Sequence, residues 1–381
     1  MKLTTLIYAS QHPKATTSNK FLRAKMFEKK HEYRPNIELE YADKITCLVK
    51  KDNRLWIGRE DGILECHNEN VKFNAKVFET EYDYLESEEI KAKISAFEQV
   101  NDGSVNDIIY VGNEKGIKVF KIRNDAPTID ICNDLYSPSY RISEIKKCPN
   151  THAYVLNSLS LNRSREYLAS SDYIKINLWK PEKMSEPYNI IDLKPQLVGG
   201  VVFVINSCKF NPFCDGILAY SSSNGEIYLN DISITPKSQE ICSMKNTNTE
   251  SIKSISDFAF IDSNLVISRS LNNICLFDVR STKSSIFSKE LITNYDEQNM
   301  LNSSDAIYEK FKIATDGMFA YSGSYLNSVY SVNVLTGSQE EVLVGEKREF
   351  STDNKIRLVV AENDGFTCVL NGSVFKYIRN K

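Results

Sequence analysis

The sequence predicts an all-β chain folded as a seven-bladed β-propeller. Three observations carry this. One local pattern, apolar strand, short polar turn, apolar strand, returns seven times. Its spacing is nearly constant. No helical pattern recurs between the copies, as a βαβ sheet would need. Within each copy the apolar positions alternate and are β-branched or aromatic, which is how a half-buried strand reads.

In chain order the copies are RLWIGREDGILEC (54–66), IIYVGNEKGIKVFKI (108–122), YLASSDYIKINLW (167–179), ILAYSSSNGEIYLNDI (217–232), LVISRSLNNICLFDV (265–279), MFAYSGSYLNSVYSVNV (318–334) and FTCVLNGSVFKYI (366–378). Asn-Gly at 224–225 and 371–372 marks tight hairpin turns. The turn centres, Gly62, Gly116, Tyr173, Gly225, Asn272, Leu326 and Gly372, lie 54, 57, 52, 47, 54 and 46 residues apart. That is somewhat above the ~40–45 residues of a WD40 blade, and regular enough for one repeated unit with loops of varied length. A ring of four-stranded blades buries both faces of every small sheet and leaves only short edges, so the expected fold is a WD40-type propeller. The near-constant period weighs against stacked β-sandwiches.

Ring closure needs one chain end to complete the blade at the other end. The segment LTTLIY, Leu3 to Tyr8, is expected to pair beside 366–378. Residues 1–10 are then the closing strand, 11–37 a basic irregular connector, and 38–381 a single propeller domain.

With 41% hydrophobic and 25% charged residues, the 381-residue chain has the composition of a globular protein with a large core. The 47 Lys and Arg against 50 Asp and Glu give a net charge of −3, which does not point to nucleic acid. The first 35 residues carry eight Lys or Arg and two Glu, so the remainder is acidic and favours a basic partner. The longest apolar run, Leu197 to Ile205, is far too short to span a membrane. The opening MKLTTLIYAS lacks the length and cleavage site of a signal peptide. Nine cysteines are scattered with no CxxC pair, as expected for reduced, mostly buried thiols in the cytosol or nucleus.

Catalytic patterns are missing from the sequence. The histidines are His12, His31, His67 and His152, with no HExxH and no paired Cys/His spacing, so no metal site is expected. GNEKGIK (112–118) lacks the GK[ST] ending of a phosphate-binding loop and sits between two strands, where it reads as a hairpin turn. No GxSxG elbow occurs, and no cofactor is expected.

Three stretches exceed what a generic propeller requires. They are YDYLESEEIKAKI (82–94), NTHAYVLNSLSLN (150–162) continuing through YLASSDYIKINLW and PYNIIDLKP (187–195), and DAIYEKF (305–311) followed by YSGSYLN (321–327). Together they resemble the WD-repeat regulatory B subunits, of the 55 kDa type, of protein phosphatase 2A. The resemblance covers roughly 80–125 and 150–335. It implies a non-catalytic subunit that docks on a helical-repeat scaffold (A) subunit next to the catalytic (C) subunit. Its propeller face would recruit phosphoprotein substrates that carry basic segments, with no nucleic acid and no membrane as partners. Loop carboxylates would steer such segments, and adjacent aromatics would anchor them.

Residue by residue, the resemblance assigns substrate contact to Tyr82 and Asp83, to Tyr154, to the turn Asp172, Tyr173 and Ile174, and to the loop residues Asp305, Tyr308 and Lys310. Tyr173 replaces the second acid of the family's turn. Thr247 and Asn248 stand where the family has phenylalanines, and Asn302 where it has a tyrosine, so a less acidic and less aromatic groove is expected. The segment 123–150 is much shorter than the scaffold-gripping hairpin arm of the family, and 335–357 is also abbreviated. Rival readings stay open: Asp172 as a turn former, Tyr154 as a core aromatic, a generic interaction platform without phosphatase docking, and a propeller hydrolase using loop carboxylates.

Overall fold

A computed structural model describes residues 33–379 apart from the short segments 41–43, 52–53, 69–70, 102–105, 125–127, 131–134, 138–139, 194–202, 234–239, 246–252, 282–283, 304–308, 346–349 and 352–354. Seven four-stranded antiparallel sheets follow one another along the chain as the blades of a propeller. Blades 1 to 6 span 45–76, 96–148, 158–192, 205–245, 255–290 and 313–343. Blade 7 takes three strands from 359–379 and its outermost from Tyr33–Glu40. The seven sequence repeats are the second and third strands of each blade.

Blade 7 is thus completed from the N-terminal side by Tyr33–Glu40. Tyr33–Glu40 runs antiparallel to Ser373–Arg379, from Tyr33 opposite Arg379 to Glu40 opposite Ser373. Residues 33–37 are therefore strand, where an irregular connector was expected. Leu3 to Tyr8 lies outside the described residues. Pro35 explains why the strand was missed in the sequence. It removes one ladder donor, and the register shifts between Pro35 and Ile37, a defect tolerated on an outer edge strand.

The core is divided into seven apolar clusters, one at each blade junction. Trp56 and Leu64 of blade 1 meet Phe97 and Ile109 of blade 2. At the closing junction Ile45, Leu55 and Ile57 of blade 1 meet Val360, Val369 and Val374 of blade 7. Blades therefore hold by face-to-face burial at roughly 25 cal/mol per Å² of apolar surface, and the ring has no open sheet face among the described residues. Eight cysteines are described, with no disulfide among the described residues, and five, Cys66, Cys148, Cys208, Cys275 and Cys368, are buried in the blades.

Polar clasps repeat around the inner ring. At the start of an innermost strand a side chain donates to the backbone carbonyl at the start of the next blade. Thr46 Oγ1 reaches Ile94 O at 2.6 Å, and Asn157 Nδ2 reaches Ile205 O at 2.9 Å. Asn206 Nδ2 reaches Ile255 O at 2.9 Å, and Ser256 Oγ reaches Phe311 O at 3.0 Å. A register shift beside Thr46, Asn206 and Ser256 turns these side chains toward the neighbouring blade. The clasps fix the points where chain enters each blade, and so fix the loops that arrive there.

Strand alternation decides which loops share a face. In an antiparallel blade the turn between the second and third strands lies on the same side as the connection into the next blade. The turn between the third and fourth strands lies on the opposite side. In blade 2 that opposite connection carries a small two-stranded hairpin, Thr128–Asp130 against Leu135–Ser137.

Candidate functional site

Every described residue among the expected contacts lies in a second-to-third-strand turn or in a blade-to-blade connection, so all share one face. Tyr82 and Asp83 sit on a hairpin, Glu81–Asp83 against Glu88–Ile90, inside the connection from blade 1 to blade 2. Tyr154 lies in the connection from blade 2 to blade 3. Asp172, Tyr173 and Ile174 form the blade 3 turn, and Lys310 precedes the first strand of blade 6. Asp305 and Tyr308 lie outside the described residues, as do Thr247 and Asn248. The helix Tyr295–Ser303 fills the same face before blade 6, with Asn294 capping its first turn by accepting from Asp296 N at 3.1 Å.

The hairpin presents an apolar tip with an acidic rim. Tyr82 is 52% exposed, Tyr84 85% and Leu85 96%. The two tyrosine rings meet edge to face at 5.1 Å. Asp83 Oδ1 accepts from Leu85 N at 2.9 Å and Glu86 N at 3.3 Å, which shapes the turn. The opposite carboxylates are partly answered. Lys115 pairs with Glu86 and, at 2.8 Å, with Glu88, and Lys147 pairs with Glu81 at 2.7 Å. The hydrogen bonds from Lys115 to Glu86 and Glu88 hold its ammonium well above the ordinary lysine value.

Lys115 also joins the hairpin to the next part of the face. Its carbonyl accepts from Thr151 N at 2.9 Å and His152 N at 3.3 Å, and Glu114 O accepts from Leu156 N at 3.2 Å. The loop so anchored carries Tyr154, which is 48% exposed. The Tyr154 ring stands edge-on to Tyr173 at 6.3 Å, and the Lys310 Nζ lies 4.4 Å above the Tyr173 ring. Tyr154, Tyr173 and Lys310 thus form one aromatic and cationic cluster contributed by three separate stretches of chain.

Three expected contacts do not offer their functional atoms to solvent: Asp172, Ile174 and Lys310, whose Nζ is buried. Asp172 has no exposed area. Its Oδ1 accepts from Ile174 N at 2.7 Å and Lys175 N at 2.6 Å, and its Oδ2 pairs with His152 Nδ1 at 3.0 Å. Burial alone would push its carboxyl up. The His152 bond and the two backbone N–H groups outweigh burial and hold it below the ordinary carboxylate value. His152 Nε2 in turn meets Ser170 Oγ at 2.8 Å, and Ser170 Oγ accepts from Trp179 Nε1 at 2.9 Å. Asp172 therefore organises blade 3 from within, and its role is to position the turn that carries Tyr173. Ile174 is also buried, in the blade 3–4 core. Sequence reading missed His152, Ser170 and Trp179. The signal was available: a histidine in the loop before a blade, a serine two residues before the turn aspartate, and a tryptophan nine residues after that serine.

Among the described residues no group of three or more His, Cys, Asp or Glu converges as a metal site would require, and no helix is long and apolar enough to cross a membrane.

Comparison with known proteins adds a likeness. No family model matches the chain. A B-type regulatory protein of protein phosphatase PP2A from Candida tropicalis is 28% identical over 305 residues, 69% of this chain and 59% of that protein. A PP2A 55 kDa regulatory subunit of Drosophila melanogaster is 26% identical over 336 residues, 76% of this chain and 66% of that protein. The phosphatase 2A regulatory subunit phr2AB of Dictyostelium discoideum is 32% identical over 199 residues, 48% of this chain and 40% of that protein. The chain spans less than two thirds of the length of these curated relatives. With its seven blades and its single loop face, the chain is similar to the 55 kDa regulatory B subunits of protein phosphatase 2A over 66–76% of its length.

Proposed function

We propose that this chain is a non-catalytic regulatory subunit of a type 2A serine/threonine phosphatase, working in the cytosol or nucleus. It docks with a scaffold and a catalytic subunit and recruits phosphoproteins through the loop face. The observation that carries this reading is the sharing of one face by Tyr82, Asp83, Tyr154, Tyr173 and Lys310, in a chain similar to PP2A regulatory subunits over about 70% of its length. Exposed tyrosines supply rigid anchor area at low entropic cost, and Asp83 with the hairpin glutamates favours a basic segment. Tethering raises the effective concentration of a phosphosite near the partner's active centre, and the hydrolytic chemistry belongs to that partner.

The test is affinity purification of the full chain from its native cell, with identification of the co-eluting chains. Recovery of scaffold and catalytic subunits in stoichiometric amounts supports the reading. Their absence from a preparation that retains other partners overturns it in favour of a generic interaction platform. The short hairpin of blade 2 favours that second reading, because it offers little reach for gripping a scaffold.

A further inference from the structure

We propose that the blade 2 turn Gly112–Gly116 fixes the Tyr82–Leu85 hairpin tip against the Tyr154 loop, with Lys115 as the positioning residue, so that the two act as one rigid recognition unit. This deepens the recruiting role proposed above and rests on it.

The hairpin has little to hold it by itself. Its strands, Glu81–Asp83 and Glu88–Ile90, have three residues each, and an isolated two-stranded hairpin is marginal in water. Its largest apolar side chains, Tyr82, Tyr84 and Leu85, are exposed and join no core. Among the described residues, every hydrogen bond or ion pair that ties 81–91 to the rest of the protein runs to blade 2. Lys115 Nζ pairs with Glu86 and Glu88, Glu114 Oε2 accepts from Lys91 N at 3.1 Å, and Lys147 pairs with Glu81 at 2.7 Å. The Lys115 side chain is 12% exposed and the two glutamates 64%, so the lysine is the fixed partner and the carboxylates come to it.

The same turn residues hold the Tyr154 loop, by backbone instead of side chain. Glu114 O accepts from Leu156 N, and Lys115 O accepts from Thr151 N, His152 N and, at 3.3 Å, Thr151 Oγ1. The turn serves as a fixed point because its own shape is tightly set. Asn113 is buried, and its Oδ1 accepts from Lys115 N at 3.1 Å and Gly116 N at 2.8 Å. A Cβ at Gly112 would stand 2.5 Å from Leu156 Cδ2, so turn and loop are in close contact. Gly112 O also accepts from Ser95 N at 2.9 Å, which pins the chain that leaves the hairpin.

Rigidity favours recruitment, because a second anchor held in place binds as an intramolecular step and slack dilutes that advantage. Charge alone makes the opposite prediction. Removing Lys115 leaves the hairpin face more negative, which by electrostatics would capture a basic segment faster.

Lys115→Met, which deletes the charge and keeps an apolar stem, separates the two. Hydrogen exchange of the full chain alone should speed at least about threefold across 82–90, the scale of two partly exposed ion pairs, and stay unchanged in the blade strands. In a complex reconstituted with scaffold and catalytic subunits, KM for an arginine-flanked phosphothreonine peptide should rise at least about threefold at unchanged kcat. Lys115→Arg should restore both. Glu86→Gln with Glu88→Gln should reproduce the exchange result, and takes over that readout if Lys115→Met does not fold. Arg280→Gln, at an exposed arginine paired with Asp278 on blade 5, should change neither. Unchanged exchange across 82–90, or a KM that stays level or falls, overturns the proposal. If no complex assembles, the phosphatase reading fails, and the exchange readout alone decides whether Lys115 holds the hairpin.

Discussion

Replacing Asp172 by alanine should threaten the fold before it touches recruitment. The side chain is fully buried and accepts from three donors: Ile174 N, Lys175 N and His152. Leaving a buried donor unsatisfied costs about 1–3 kcal/mol, so three donors with partial relaxation amount to about 3–6 kcal/mol. Single domains have only about 5–15 kcal/mol in total, so the variant should sit near the edge of unfolding. Asp172→Asn keeps an acceptor for the two backbone N–H groups and should cost roughly half as much. The sign of the pH dependence follows from the depressed carboxyl. Its contribution is present above the ordinary carboxylate value of about 4 and is lost as pH falls through the lower folded value. Urea denaturation at pH 7 and down the acid limb reads both effects. A loss of under about 1 kcal/mol for Asp172→Ala, or weakened partner binding at unchanged stability, would refute the assignment of Asp172 to the interior.

On the loop face the opposite separation is expected. Tyr82→Ala with Tyr84→Ala removes only exposed rings, so stability should move by under about 0.5 kcal/mol while substrate capture in a pull-down weakens about tenfold. Asp83→Asn keeps the acceptor that shapes its turn and deletes the charge; association with a basic phosphopeptide should slow, and its salt dependence should flatten, in surface-plasmon traces. Removing residues 1–40 strips the closing strand from blade 7 and should cost about 3–6 kcal/mol by thermal or urea unfolding, as its ladder to Ser373–Arg379 is lost. In blade 6, a Cβ at Gly323 would stand 1.9 Å from Ile356 O, so Gly323→Ala should lower stability by about 2–4 kcal/mol in the same assay.

The repeat was legible because the second and third strands of each blade are buried and short-turned. The blade 4 pair Ile217–Ser222 and Glu226–Asp231 is buried almost throughout on either side of Asn224–Gly225. The outer strands were not legible. Gln339–Leu343 is largely half-exposed and polar, so nothing in its composition separates it from loop. The closing strand was misplaced for a related reason: YRPNIELE carries Pro35 and charge, whereas LTTLIY looks like a strand. The shared face was implicit in the repeat, since the expected contacts fell in turns and connections that strand alternation puts on one side. Burial was the missing quantity. A turn aspartate reads the same whether it faces solvent or His152, and only the approach of His152 and Ser170 across the turn decides it.

The central claim is that this chain directs the work of another polypeptide. Its most direct measurement is the rate at which a purified type 2A scaffold–catalytic pair dephosphorylates a phosphoprotein with a basic flank, with and without stoichiometric chain. An increase in kcat/KM that the Tyr82→Ala, Tyr84→Ala variant abolishes, with no activity from the chain alone, is the predicted result. An unchanged rate in a mixture shown to contain the ternary complex, or phosphate release by the isolated chain, contradicts it.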